Sequence, residues 1–77
     1  VSAQENSEDM ELVRKAMSHL PDRQRLVVYL KDIAGYPTEE IATMLSISEN
    51  HVRTILSRGR KSLRDLIMKI QNYGLQF

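Results

Sequence analysis

Two breaks that contain proline restrict most strongly how this sequence can fold. Leu20-Pro21 ends the first apolar pattern, because proline disfavours helical geometry in the residue before it and suits the first turn of a new helix. Gly35-Tyr36-Pro37 ends the second, since glycine adopts the left-handed conformation beyond a helix and proline cannot continue the turn. The chain is therefore expected to form several short elements rather than one long helix.

Apolar residues recur at helical spacing along the chain, and no β-type alternation of useful length is present. Four helices are predicted, running from after Ser7 to Leu20, from Pro21 to Ala34, from Thr38 to before Ser46, and from Glu49 to about Ile70. Ser7, Thr38 and Ser48 are the predicted N-caps, because a hydroxyl oxygen can accept a hydrogen bond from the unpaired N–H groups at a helix start. The predicted buried stripe of the second helix is Leu26, Val27, Leu30, Ile33 and Ala34.

The composition is that of one small folded domain. The 77 residues are 42% hydrophobic and 27% charged, which is ordinary for a globular chain. Residues 1–6 are polar and without periodicity, so we expect a linker remnant there, a domain over residues 7–72 and a tail over residues 73–77. Because the sequence begins at Val1 rather than Met, we expect it to be a piece of a longer protein.

Several classes of function are disfavoured by what the sequence lacks. Cysteine is absent, which excludes disulfides and thiolate zinc sites and fits a reducing cytoplasm. With two histidines and no nucleophile elbow or phosphate loop, we predict no metal, no cofactor and no enzymatic activity. The longest apolar run, residues 26–30, is far shorter than the ~20 residues of a membrane span, so no membrane partner is predicted. The methionines expected to fill the core are Met10, Met17, Met44 and Met68.

Charge is distributed unevenly along the chain, although the formal net charge is only +1. Residues 1–50 carry five basic and nine acidic side chains, whereas residues 51–77 carry six basic side chains and one acidic. Such polarisation within one small domain indicates that a polyanion approaches the C-terminal half. A basic helix that is merely solvated remains an alternative explanation.

The third and fourth predicted helices have the layout of a helix-turn-helix, in which a short helix and a longer one are joined by about three residues. Ala42 is small enough for close helix approach, Ile47 is expected to anchor the turn in the core, and Val52 begins the buried stripe. That stripe continues through Ile55, Leu56, Gly59, Leu63, Leu66 and Ile70. The predicted architecture is all-α, a four-helix helix-turn-helix domain of the winged-helix-like, three-helical DNA/RNA-binding bundle type, without a wing.

The opposite face of the fourth helix has the residue types that bind DNA. The candidate DNA-binding residues are Asn50, Arg53, Thr54, Ser57, Arg58, Lys61 and Arg64. Arginine can bind guanine through two hydrogen bonds, small polar side chains can bind base edges, and cations farther along can hold phosphates. The helix dipole near Ser48 also favours binding of a phosphate oxygen. For His51 two interpretations stay open, an approach to DNA and simple solvation.

The order of these residues resembles region 4 of bacterial RNA polymerase sigma factors of the extracytoplasmic-function (ECF) type. The resemblance covers residues 20–67, and its most specific pieces are Glu40-Ile41-Ala42, Val52-Arg53 and Arg58-Gly59-Arg60-Lys61. It implies a domain that reads the minus-35 promoter element in the major groove, docks on the flap of the polymerase β subunit, and can be masked by an anti-sigma protein.

Carried over to this sequence, the resemblance implies that the main DNA-facing residues are Arg53, Thr54, Ser57 and Arg58, with DNA-backbone or partner contacts from Arg60, Lys61 and Arg64. The sequence departs from the family pattern at Ser46, where glycine is common and a strained turn is therefore expected. Asn50-His51 and Ile55 also depart from it, and Ile55 removes one cation. Two other functions stay open, the helix-turn-helix output domain of a response regulator of the quorum-sensing type and a protein-interaction module that never binds DNA.

Overall fold

The computed structural model describes the backbone of residues 3–73 and the side chains of residues 10–72. The elements in this part of the chain are α1 (Ala3–Met17), α2 (Asp22–Val28), a π-helix (Tyr29–Ile33), α3 (Thr38–Leu45) and α4 (Glu49–Tyr73). No β-strand occurs among them. The prediction of an all-α domain with four helices is confirmed.

The outer ends of the fold differ from the predicted boundaries. Helix α1 begins at Ala3, so residues 3–6 are helical rather than linker and Ser7 is not the N-cap. Alanine has the highest helix propensity, which is consistent with the earlier start. Helix α4 continues to Tyr73, beyond the expected end at Ile70. The rest of the predicted tail, residues 74–77, lies outside the described residues.

The second predicted helix is not a single α-helix. Helix α2 ends at Val28 and passes directly into the π-helix, whose wider turn is closed by the Ala34 N–H donating to the Tyr29 carbonyl oxygen at 2.9 Å. The Tyr36 N–H then donates to the Leu30 carbonyl oxygen at 2.9 Å, and Gly35 takes a φ of 83°. This left-handed geometry ends the helix at the predicted glycine.

The buried stripe predicted for this segment is partly wrong. Val27 and Val28 are buried against the rest of the domain, whereas Leu26 and Ile33 are 43% and 45% exposed and Ala34 is also exposed. The segment is apolar on both sides, and only one side is covered, chiefly by α4. Periodicity identifies apolar faces, but it does not tell which of two such faces another element will cover.

The core lies where α2, α3 and α4 meet. Its buried members are Met17, Leu20, Val27, Val28, Ile41, Ala42, Val52, Ile55 and Leu56, with Ile47, Leu63 and Leu66 partly buried against them. Of the four methionines predicted to fill the core, only Met17 is buried, because Met10, Met44 and Met68 lie on exposed faces of their helices. Isolated exposed apolar side chains such as Met44 and Met68 are normal on a folded domain.

Candidate nucleic-acid interface

The turn between α3 and α4 is a tight left-handed connection. Ser46 has φ 57° and ψ 44°, and the Ile47 N–H donates to the Ala42 carbonyl oxygen at 3.0 Å. Residues other than glycine are sterically disfavoured in the left-handed backbone region, so the expected strain is located at Ser46. Ile47 is partly buried against the core, as predicted, and anchors the turn.

The start of α4 is fixed by its predicted cap. The Ser48 Oγ accepts a hydrogen bond from the His51 N–H at 3.0 Å, which satisfies one of the unpaired donors at the helix start. The equivalent prediction for α3 is wrong, because Thr38 is already helical and Pro37 precedes it without a side-chain cap. Ala42 and Val52 are buried at the contact between α3 and α4, so the helix-turn-helix layout is confirmed.

Helix α4 exposes one broad polar face. All seven candidate DNA-binding residues are exposed and lie on it, namely Asn50, Arg53, Thr54, Ser57, Arg58, Lys61 and Arg64. From Arg53 to Arg58 the face covers roughly 140° of the helix circumference at about 100° per residue. The other side of α4 is the buried stripe with Val52 and Ile55. We call these seven residues the polar face.

Arg53 is held by two side chains at the beginning of its own helix. Its Nη1 donates to Asn50 Oδ1 at 3.0 Å, and its Nη2 donates to Glu49 Oε1 at 3.4 Å. Asn50 belongs to the polar face, but Glu49 was not among the predicted site residues. The signal was present in the sequence, because a glutamate four residues before an arginine on a helix is a favourable ion-pair spacing.

The other cations of the polar face differ in whether they form an ion pair. Lys61 Nζ lies 3.1 Å from Asp65 Oδ2, one helical turn along α4. Arg58 and Arg64 form no ion pair with the described part of the chain. Thr54 Oγ1 donates to the Asn50 carbonyl oxygen at 3.1 Å, which leaves the lone pairs of its hydroxyl for another donor.

Arg60 forms an ion pair that joins two elements of the fold, and it does not belong to the polar face. Its Nε donates to Asp32 Oδ2 at 2.9 Å and its Nη2 to Asp32 Oδ1, so a bidentate ion pair joins α4 to the π-helix. The hydrogen bonds from Arg60 hold the pKa of the Asp32 carboxyl below its ordinary value, with burial opposing the shift. Arg60 was expected to contact the DNA backbone or a partner, and no local pattern indicates a bond to a residue 28 positions away.

Gly59 lies where α4 crosses α2. A Cβ atom at this position would lie 2.8 Å from Val28 Cγ2 and 3.3 Å from Gln24 Cβ. The missing side chain therefore sets how closely the two helices approach. Their contact supports the buried side of α4 while its polar face stays open.

A second surface, on a different side of the domain, is apolar. A groove of about 730 Å³ runs between α1 and the segment formed by α2 and the π-helix, and none of the α4 side chains that the structure describes lines it. We call it the apolar groove, and its apolar lining residues are Met10, Val13, Met17, Leu26, Tyr29 and Ile33. Four of these side chains, including Leu26 and Tyr29, are large and exposed, so this is the uncovered side of the segment.

The described part of the chain has neither a metal site nor a membrane-spanning helix. No group of three or more histidine, aspartate or glutamate side chains there is arranged to hold a metal ion. None of its helices is long and apolar enough to cross a membrane.

Comparison with known proteins identifies the family. The family described as Sigma-70, region 4, matches residues 10–63, which is most of the chain. The chain belongs to the sigma-70 region 4 family. It is also similar to the ECF RNA polymerase sigma factor SigE of Mycolicibacterium smegmatis, with 39% identity over 57 residues that cover 74% of this chain and 22% of that protein. No solved structure gave a significant match.

Family membership decides between the alternatives that the sequence left open. The chain is a sigma-70 region 4 domain, and this family is a non-enzymatic, DNA-binding helix-turn-helix domain. This membership argues against the output domain of a response regulator, and the helix-turn-helix of the family favours a DNA-binding domain over an interaction module. The chain spans about a fifth of the length of the sigma factor that it resembles.

Proposed function

We propose that this sigma-70 region 4 domain recognises the minus-35 promoter element by inserting α4 into the major groove. The observation that carries the proposal is the polar face itself, seven exposed side chains opposite a buried stripe on a helix that begins at a short turn. A helix presented in this way fits the width of the major groove of B-DNA. The resemblance to an ECF sigma factor supports promoter DNA as the ligand and the cytoplasm as the place of action.

The proposed DNA contacts of residues along α4 depend on their distance from the helix start. Asn50, Arg53, Thr54 and Ser57 occupy the first turns, which is the part of a recognition helix that reaches base edges. Arg58, Lys61 and Arg64 follow on the same face and bind phosphates. In this arrangement Arg53 supplies sequence preference, and the later cations supply affinity that does not depend on sequence.

The β flap of RNA polymerase is the proposed protein partner, and we place it on the apolar groove. The groove is lined mainly by apolar side chains and includes none of the described side chains of α4, so the polymerase and DNA can bind together. Leu26 and Tyr29 are exposed at its edge and offer the kind of anchor that a helix of a partner binds. An anti-sigma protein that covers either surface would block initiation.

The test is a comparison of Arg53→Ala with Lys61→Ala, measured by fluorescence anisotropy on a duplex selected for tight binding and on a scrambled duplex. Arg53→Ala should weaken binding to the selected duplex by ~1–3 kcal/mol and relax the preference for one base pair. Lys61→Ala should weaken binding to both duplexes alike and make the slope of log K against log salt less steep by about 0.9.

Lys15→Ala is the matched control, because Lys15 is an exposed cation of α1 outside the polar face. It should change neither sequence preference nor the salt slope appreciably. If Arg53→Ala and Lys61→Ala weaken binding to every duplex equally, the division between base reading and phosphate binding is wrong. If the wild-type chain prefers no sequence, promoter recognition by this domain is wrong.

A further inference from the structure

The contacts of Arg53 aim its guanidinium at the beginning of α4. Asn50 and Glu49 accept its hydrogen bonds from three and four residues earlier in the chain. A guanidinium has five N–H donors, so donors remain for a base after these two contacts. Because the first residues of a recognition helix lie nearest the base edges, this position directs the remaining donors toward the floor of the groove.

We infer that Glu49 is a specificity-determining residue, whose carboxylate keeps Arg53 directed at bases and away from phosphates. The inference rests on the proposed function, since it concerns how the same face reads DNA. An arginine can bind guanine or a phosphate with similar bidentate geometry, so its position decides which it meets. Without Glu49 the long Arg53 side chain is freer to turn toward the phosphates that border the groove.

Charge acts in the same direction. The side chains of Glu49 and Arg53 are 49% and 60% exposed, so their ion pair alone is worth little to stability. The negative charge of Glu49 nevertheless lies beside Arg53, near the helix start, and reduces the attraction of this arginine for phosphate. Glu49 therefore lowers sequence-independent affinity while leaving the hydrogen-bond donors of Arg53 available to a base.

Asp65 provides a matched control on the same helix. It pairs with Lys61 at 3.1 Å with the same spacing of four residues, but far from the helix start and from Arg53. Glu49→Gln and Asp65→Asn each remove one exposed carboxylate charge from α4 with little change in shape. General electrostatics predicts the same effect for both, whereas positioning of Arg53 predicts a difference.

The experiment uses the 77-residue chain and a pool of DNA duplexes with a randomised centre. The sequence enriched by the wild-type chain and a scrambled duplex are then titrated by fluorescence anisotropy across a range of salt concentrations. Glu49→Gln should bind the scrambled duplex about two- to fivefold more tightly and lose a similar factor of discrimination at the base pair identified with Arg53→Ala. Asp65→Asn should bind both duplexes more tightly with its discrimination unchanged.

Glu49→Asp separates positioning from charge. Aspartate keeps the charge but is one methylene shorter, and the contact of Glu49 with Arg53 is already 3.4 Å long. We expect lower discrimination without the gain in affinity for the scrambled duplex. If both Glu49 variants keep wild-type discrimination, Glu49 does not position Arg53 and the inference is overturned. If the wild-type chain enriches no sequence at all, the proposed function fails first and the inference falls with it.

Discussion

Replacing Gly59 with alanine tests whether the contact between α2 and α4 is as close as described. In the middle of an exposed helix this change stabilises by about 1 kcal/mol, because alanine has the higher helix propensity. At Gly59 the added methyl would lie 2.8 Å from Val28 Cγ2 and 3.4 Å from the Gln24 carbonyl oxygen. The first of these distances is too short for two carbon atoms, whose best separation is about 3.5–4.0 Å.

The neighbours of Gly59 have little freedom to move away. Val28 is 1% exposed, and its β-branched side chain has one strongly preferred rotamer in a helix. The second neighbour is Gln24 Cβ, which can move only with the backbone of α2. Overpacking of a core costs ~1–3 kcal/mol, so after the gain of about 1 kcal/mol in helix propensity we expect Gly59→Ala to lose up to about 2 kcal/mol of stability.

The loss is measured by thermal and urea unfolding followed by circular dichroism. For a domain of this size the loss corresponds to a decrease in Tm of up to roughly 16 °C. A double-mutant cycle with Val28→Ala tests whether this contact is the cause. Removing the Val28 methyl groups creates room for the methyl group that Gly59→Ala adds. The stability losses of the two single variants should therefore sum to more than the loss of the double variant. A Gly59→Ala variant at least as stable as the wild type would refute the close approach of the two helices.

Three further predictions follow from contacts elsewhere. Asp32→Asn should lower the free energy of unfolding by about 1 kcal/mol or less near neutral pH, since Arg60 loses an exposed partner. The pKa of Asp32 is lower in the folded state than its ordinary value of 3.8. The stabilisation is therefore present above pH 3.8 and is lost as the pH falls through the folded-state pKa. In acid unfolding experiments the stabilities of wild type and variant should converge. Ser46→Gly should raise stability in urea by about 0.5–1 kcal/mol, because glycine takes φ 57° without strain; no gain would mean that Ser46 is relaxed there. Leu26→Asp should abolish binding of a purified β-flap fragment while leaving DNA affinity unchanged, and retained flap binding would show that the apolar groove is not its docking site.

The second half of the fold was predictable because its signals are local. Ser48 caps α4 through a residue three positions away, and the buried stripe of α4 follows from one periodic pattern with charges on the other side. Strain in the turn at Ser46 was expected because the family pattern often has glycine at this position. Each of these features depends on neighbours within one or two helical turns, and a sequence states such relationships directly.

The features that sequence analysis missed depend on which elements meet in space. The segment from Leu26 to Ile33 is apolar on both sides, so its pattern could not show which side α4 covers or that a π-helix would form. The bond from Asp32 to Arg60 joins residues 28 positions apart, and no local pattern marks it. Glu49 was detectable by its spacing, but its importance depends on where the guanidinium of Arg53 is held.

The charge split of the sequence overstates how many cations are available to DNA. Arg60 lies in the basic half of the chain, yet its two bonds to Asp32 make it part of the packing between α4 and the π-helix. DNA can replace the pairing of Lys61 with Asp65 on the same exposed helix at small cost, whereas Arg53 has further N–H donors available beside its contact with Glu49. The net charge of this half therefore sets its long-range attraction to DNA, and the local partner of each cation decides which of them binds it.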